Sequence, residues 1–125
     1  MFPGVLDASM LFKAQDKGII EFEYINLRDF GLGPRKQVDD TPYGGGDGMV
    51  LKPEPVIEAI EYAKSKSPES LVLLPTPRGK TYKQSDAKRL AAAKTDLIIV
   101  CPRYEGYDER VVEYIDEQIC IGNYV

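Results

Sequence analysis

The sequence predicts an α/β fold, a mostly parallel sheet with helices on both faces. From residue 71 onward the patterns alternate as strand, helix, strand, helix and strand, which is typical of such a sheet. Two of these strands, LVLLP at 71–75 and LIIVC at 97–101, are continuously apolar, as strands covered on both faces are. At 125 residues the chain has the usual size of one domain.

The remaining elements are predicted from apolar periodicity and capping residues. They are a helix at 5–17 with Gly18 as its C-cap, a strand at 19–27, a helix at 54–66, a helix at 85–94 with Ser85 as its N-cap, a short helix at 108–115 that turns Val111, Val112 and Ile115 inward, and a strand at 118–121. Residues 30–50 are predicted to form a long loop, and loops of that length inside compact domains are usually functional or disordered.

Composition narrows the class of protein. No apolar run approaches the roughly 18 residues of a membrane span, and no signal peptide is recognisable at the start of the chain. Cys101 and Cys120 each end an apolar run and show no metal-type spacing, so we expect buried thiols in a reducing compartment, the cytoplasm.

Charge and histidine content restrict the chemistry further. The chain has no histidine, so acid–base work falls to Asp, Glu, Lys, Tyr or the substrate, and a zinc site is not expected. The net charge of −4 argues against nucleic-acid binding by the chain as a whole, although clusters such as Arg35-Lys36 could bind phosphates locally. Ordinary solvated charge remains the alternative for each cluster.

Three turns are predicted to meet at one edge of the sheet. They follow the strands at 71–75, 97–101 and 118–121, and ligands of parallel sheets bind outside the carboxyl ends of the strands. The turns are Thr76 to Gly79, Pro102 to Gly106 and Gly122 to Val125. Topology therefore predicts a binding site before any motif is considered.

Two further segments have unusual composition. Residues 38–49 (VDDTPYGGGDGM) contain four glycines in five positions, which allows close approach of a ligand to the backbone. No Gly-Lys-Ser/Thr follows, so this is not a P-loop, and a flexible surface loop remains the alternative. Residues 101–110 (CPRYEGYDER) lead into a helix with Asp108 as its predicted N-cap, and a cluster of caps and salt bridges is the alternative there.

Taken together, these segments resemble the bacterial tRNA (guanine-N1)-methyltransferases, members of the SPOUT class. The residues that carry the resemblance are LRDF at 27–30, VDDTPYGGGDGM at 38–49, RYEGYDERV at 103–111 and IGNYV at 121–125, in the family's order and spacing. The resemblance implies a trefoil knot in the C-terminal part of the sheet, incomplete here because the glycine-rich segment that closes it is not in this sequence. It also implies that residues 1–125 form the S-adenosylmethionine-binding domain, without the C-terminal tRNA-binding domain.

The resemblance further implies site residues, cofactors and partners. S-adenosylmethionine would be bound by Leu74, Pro75, Thr76 and Pro77, by Pro102, Arg103, Tyr104, Glu105 and Gly106, and by Ile121, Gly122, Asn123, Tyr124 and Val125. Glu105 and Asp39 would be catalytic, and the target guanine and tRNA would contact Asp39, Asp47, Gly48, Arg35 and Lys36. Family activity is associated with Mg²⁺, the substrate is tRNA, and the partner is a second copy in a homodimer.

Two residues depart from the family pattern. Pro102 stands where the family has glycine, which removes a backbone N–H, and Asn123 stands where it has aspartate, which removes a charge. The family's general base is an aspartate in the C-terminal domain. The alternatives are therefore an enzyme represented by its methyl-donor domain and a non-catalytic domain that binds an adenosyl ligand or dimerises. A phosphate-binding nucleotide protein is a third, less favoured class.

Overall fold

The computed structural model describes residues 8–30, 39–40, 50–51, 53–101, 106–107 and 109–122. Its α-helices are α1 (Ser9–Asp16), α2 (Pro53–Lys66) and α3 (Gln84–Ala93), and two 3₁₀ helices span Leu27–Phe30 and Glu109–Tyr114. Its strands are β1 (Asp39–Asp40), β2 (Val50–Leu51), β3 (Leu71–Thr81), β4 (Leu97–Ile99), β5 (Gly106–Tyr107) and β6 (Glu117–Cys120). In β1, β2 and β5 only the backbone is described.

The main sheet has the order β4-β3-β6, and both pairings are parallel. Leu71 lies opposite Leu97 on one side of β3, and Leu73 lies opposite Glu117 on the other side. A second sheet has the order β1-β2-β5, with β1 antiparallel and β5 parallel to β2. The predicted parallel α/β fold is confirmed.

An apolar cluster joins α2 to the main sheet and to the second 3₁₀ helix. Its buried members are Val56, Ile60, Val72, Leu74, Val100 and Val111, with Leu27, Ile98 and Ile115 packed partly buried against it. The helix pattern at 54–66 is confirmed because its apolar stripe supplies Val56 and Ile60 to this cluster. The inward orientation predicted for residues 111, 112 and 115 is also confirmed, although the helix is of the tighter 3₁₀ type.

The strand predicted at 19–27 is wrong. Residues 20–26 form no ladder with any described strand, and a 3₁₀ helix begins at Leu27. Burial alternates only over residues 20–23, where Phe22 is partly covered while Glu21 and Glu23 are exposed, and the alternation breaks at Tyr24, which is exposed. An alternating pattern records which side chains face the protein, whereas a strand also needs a neighbouring backbone to pair with.

The ends of the helices differ from expectation in one place. Gly18 follows α1 with a φ of +72°, and its N–H donates to the Gln15 carbonyl at 3.0 Å, as predicted for a glycine at a helix end. Ser85, however, is not the N-cap of α3. The helix begins at Gln84, and the Asp86 carboxylate accepts the Lys83 N–H at 2.9 Å. An acidic side chain in the first turn caps the backbone from inside the helix, so a serine N-cap is not needed.

Two expectations about burial also need correction. β4 is an edge strand in which Leu97 and Ile99 are exposed, so it is not covered on both faces as β3 is. Cys101 is likewise exposed, whereas Cys120 is buried as predicted, and both thiols are free of disulfides. Within the described part of the chain, no helix is both long and apolar enough to cross a bilayer.

Candidate functional site at the carboxyl ends of β3, β4 and β6

The central feature of the candidate site is a bulge in β3. Pro75 and Lys80 both lie opposite Ile119 of β6, so the residues from Thr76 to Gly79 arch away from the ladder. Prolines at 75 and 77 have no N–H to donate, which prevents a regular ladder in this part of the strand. The sequence predicted a turn that ends the strand at residue 75, whereas the strand continues through the bulge to Thr81. We refer to Thr76–Gly79 as the arch.

Within the arch, burial changes sharply from one residue to the next. Thr76 is buried, and its hydroxyl accepts a hydrogen bond from the Arg78 N–H at 3.4 Å. Pro77 and Arg78 are exposed, while Leu74, which precedes the arch, is fully buried. A threonine that bonds to the backbone two residues onward stabilises a turn. The arch therefore begins with a buried, hydrogen-bonded threonine, which is followed by an exposed proline.

The end of β6 is held against the far side of the arch. Tyr82 donates its N–H to the Cys120 carbonyl at 2.8 Å, and the Cys120 thiol donates to the Gly122 carbonyl at 3.0 Å. Ile121 then stands 65% exposed beyond the strand. Ile121 and, within the arch, Pro77 are thus exposed apolar residues on neighbouring strands of this part of the sheet.

The end of β4 is the third part of the edge. Val100 donates its N–H to the Leu73 carbonyl at 2.9 Å, which aligns the residues after β4 with those before the arch. Cys101 follows, and the loss of hydration around its sulfur raises the pKa of its thiol. A raised pKa disfavours the thiolate, so Cys101 is not an activated nucleophile despite its exposure.

The structure brings together those predicted donor-site residues that it describes with side chains, namely Leu74, Pro75, Thr76, Pro77, Ile121 and Gly122. Ile121 and Gly122 follow the end of β6, whereas Leu74 to Pro77 lie inside β3 around the start of its bulge, with Pro75 opposite Ile119. Their role in binding a donor stays a prediction. Gly106 is described only as backbone, in β5 opposite Val50, and Asp39 only as backbone in β1 opposite Leu51. The other predicted site residues lie outside the described residues: Arg35, Lys36, Asp47, Gly48, Pro102, Arg103, Tyr104, Glu105, Asn123, Tyr124 and Val125.

Two structural contributions were not identified from the sequence. Gly79 was interpreted only as part of a turn, and Glu117 was not singled out, yet both contact partners that fix β6 in place. The spacing of Pro75 and Pro77 is the one sequence feature that could have indicated the bulge. Nothing in the sequence indicates that Arg89 and Glu117, 28 residues apart, would meet.

A metal centre is not formed by the side chains that the structure describes. Among them, no three His, Cys, Asp or Glu residues are grouped closely enough to hold an ion. The side chains of Asp39 and Glu105 are not among them, so the expected use of Mg²⁺ stays a prediction.

The parallel strands β4, β3 and β6, with a helix packed against them through the apolar cluster, define an α/β protein. The family model described as tRNA (Guanine-1)-methyltransferase TrmD matches residues 1–125. The chain therefore belongs to the tRNA (guanine-1)-methyltransferase family, and its α/β fold is that of the SPOUT class.

Individual relatives agree with the family match. The tRNA (guanine-N(1)-)-methyltransferase of Myxococcus xanthus is 46% identical over 125 residues, which is all of this chain and 51% of that protein. The one from Dictyoglomus turgidum is 49% identical over all of this chain and 50% of its own length. The chain thus spans about half the length of the curated relatives it matches.

A solved structure supports the same assignment. The crystal structure of tRNA (m1G37) methyltransferase from Aquifex aeolicus superposes with a TM-score of 0.83 at 40% sequence identity. The match covers 99% of this chain and 57% of that chain. At this level of identity and coverage, the likeness extends to the whole fold described above.

Proposed function

We propose that this chain is the methyl-donor-binding domain of an enzyme that methylates N1 of the guanine 3′ of the anticodon in tRNA. The observation that carries the proposal is the position of the arch of β3, whose two ends both lie opposite Ile119 near the end of β6. The family model matches this chain over residues 1–125. The proposed partners are tRNA and a second copy of the chain in a homodimer, in the cytoplasm.

The donor-site edge has the composition that an adenosine moiety requires. Pro77 and Ile121 are exposed and could offer apolar contacts for the adenine ring, while Leu74, which is buried, would support the arch from beneath. The backbone groups of the arch and of Gly122 could form hydrogen bonds with the polar edge of the ring. We propose that Leu74–Pro77, Pro102–Gly106 and Ile121–Val125 hold S-adenosylmethionine, with Glu105 near the reacting centre. Asp39, Asp47, Gly48, Arg35 and Lys36 are proposed to face the guanine and its tRNA.

When bound, S-adenosylmethionine supplies a methyl group already activated by the positive sulfonium sulfur, and leaves as neutral S-adenosylhomocysteine. The task of the protein is then to align N1 of the guanine with that methyl group. It must also accept the N1 proton as the new N–C bond forms. This chain has no histidine, so any base that it supplies would be an Asp, Glu, Lys or Tyr side chain. The family resemblance places the base in the C-terminal domain, with Asp39 and Glu105 supporting it.

Calorimetric titration with S-adenosylhomocysteine tests the donor site directly. We expect the chain to bind it, and Ile121→Asp to weaken binding about ten-fold or more, because a carboxylate beside the adenine ring must be desolvated. Ile19→Asp is the matched control, since Ile19 is 71% exposed on the segment after α1, compared with 65% for Ile121. The placement of the site is wrong if both variants bind as the unaltered chain does.

Methyl transfer is tested separately with labelled donor and two tRNA transcripts that differ only in guanine or adenine 3′ of the anticodon. Incorporation into the guanine transcript alone supports the proposed reaction. Donor binding without incorporation is the result expected of this chain by itself, because the proposed base lies in the C-terminal domain. If incorporation is still absent when the family's C-terminal domain is joined to the chain, the alternative is supported, a domain that binds the adenosyl ligand without catalysing transfer. Equal incorporation into both transcripts contradicts the proposed target.

A further inference from the structure

Gly79, the last residue of the arch, lies close to the backbone of β6. A Cβ atom built at Gly79 would lie 2.6 Å from the Ile119 nitrogen and 2.7 Å from the carbonyl carbons of Gln118 and Ile119. Cβ atoms essentially never approach heavy atoms to less than 3.0 Å. The neighbours are backbone atoms, which cannot rotate aside as the end of a side chain can. Any residue larger than glycine must therefore push β6 away from β3.

This contact closes the arch. Before it, Pro75 lies opposite Ile119, and after it Lys80 lies opposite the same residue and Thr81 lies opposite Cys120. The two ends of the arch are thus fixed to one point on β6. The separation of the strands at Gly79 sets how far Thr76 and Pro77 stand from Ile121, which leaves β6 two residues after Ile119.

We propose that Gly79 is a positioning residue for the methyl-donor site, since its contact with Ile119 fixes the gap between the arch and the end of β6. The proposal rests on the proposed function and adds a residue to it that need not touch the ligand. Its consequence is that a single methyl group at residue 79 widens the site without altering any group that lines it.

Gly79→Ala tests the proposal, with Gly18→Ala as the matched control. At Gly18 an added Cβ meets nothing within 4 Å, and only the φ of +72° opposes alanine, so this variant loses stability far from the arch. Both variants are titrated with S-adenosylhomocysteine well below their melting temperatures. We expect Gly79→Ala to weaken binding about ten-fold or more and Gly18→Ala to change it less than about two-fold.

The thiol of Cys120 supplies a readout that needs no ligand. Cys120 is 6% exposed and lies opposite Thr81, directly after the Gly79 contact. Its alkylation by iodoacetamide, measured on the Cys120 peptide by mass spectrometry, should become about ten-fold faster in Gly79→Ala and stay unchanged in Gly18→Ala. Equal affinities or equal alkylation rates in the two variants would overturn the proposal.

The two proposals fail in different ways. If the unaltered chain binds no S-adenosylhomocysteine, the proposed function is contradicted, whereas the Cys120 comparison still decides whether Gly79 holds the arch against β6. If Gly79→Ala does not fold, the alkylation rate of Cys120 is compared in the unaltered chain with and without S-adenosylhomocysteine. We expect the ligand to slow this alkylation, and an unchanged rate would contradict the positioning role.

Discussion

The guanidinium group of Arg89 on α3 forms a two-pronged ion pair with the carboxylate of Glu117 at the start of β6. Nη1 lies 2.9 Å from Oε2, and Nη2 lies 2.7 Å from Oε1. A bidentate ion pair of this kind fixes the relative orientation of the guanidinium and carboxylate groups as well as the distance between them. Together with Gly79 at the other end of the strand, it means that β6 is held at both of its ends, directly before the proposed donor site.

Breaking this ion pair should lower stability only slightly. Arg89 is half-exposed, so water and salt screen the interaction, and we expect Arg89→Ala to lower the melting temperature by roughly a few degrees at low salt. The difference should shrink in 1 M NaCl. Lys88→Ala, an exposed cation one residue earlier on the same helix, is the charge-matched control. If the two variants lowered the melting temperature equally, the loss would be due to the change in net charge and not to the Arg89–Glu117 ion pair.

Removing the side chain of Asp116 should cost more. Its carboxylate accepts the Val72 N–H at 2.7 Å, and its own N–H donates to the Val72 carbonyl at 2.9 Å. Val72 is fully buried, so Asp116→Ala leaves a shielded N–H without a partner and should cost about 1–3 kcal/mol in the free energy of unfolding. Asp116→Asn retains an acceptor oxygen and should cost less than half as much. Denaturant titrations that give equal losses would contradict the role of this hydrogen bond.

Acid should weaken α3 through Asp86. The hydrogen bond from the Lys83 N–H, assisted by Arg89, lowers the pKa of Asp86 below its ordinary value. A group whose pKa is lower in the folded state stabilises the protein above its unfolded pKa, and this contribution is lost as pH falls through the folded pKa. The loss should therefore occur below about pH 4. Asp86→Asn should be less stable than the unaltered chain at pH 7, and this gap should narrow in unfolding measurements toward pH 2.

Cys101 should react slowly for an exposed thiol. Because its pKa is raised, less thiolate is present at neutral pH than in a free cysteine, and the thiolate is the nucleophile. Alkylation of Cys101 at pH 7 should be slower than that of a cysteine-containing peptide, and the pH midpoint of its rate should lie higher. Peptide-resolved mass spectrometry measures both. A midpoint at or below that of the peptide would contradict the effect of desolvation.

Local patterns predicted those elements whose formation depends on nearby residues. The helix at 54–66 and the end of α1 at Gly18 follow from periodicity and from the conformational freedom of glycine. The strand at 19–27 failed because strand pairing is non-local, and no described strand lies beside these residues. The N-cap at Ser85 failed because the helix begins one residue earlier, at Gln84, where the Asp86 carboxylate accepts the N–H of Lys83.

The candidate site likewise has features that the local sequence pattern predicted and features that depend on non-local pairing. The alternation of strands and helices was sufficient to place the ends of β3 and β6 at one edge of a parallel sheet. It could not show that the strand would continue past Pro75, because a bulge depends on what the partner strand allows. The resemblance named residues for the site, and those that the structure describes with side chains lie at this edge.

By itself, the sequence determined the α/β class and the buried central strand, because each depends on the order and local pattern of apolar residues. The edge at which a ligand would bind stays a prediction from that order. Only the tertiary structure decided that β4 would be a half-exposed edge strand, that Arg89 would reach Glu117, and that Gly79 would touch the backbone of Ile119. The last two relationships join residues 28 and 40 positions apart, and such contacts are set when the chain packs, not by any short segment of it.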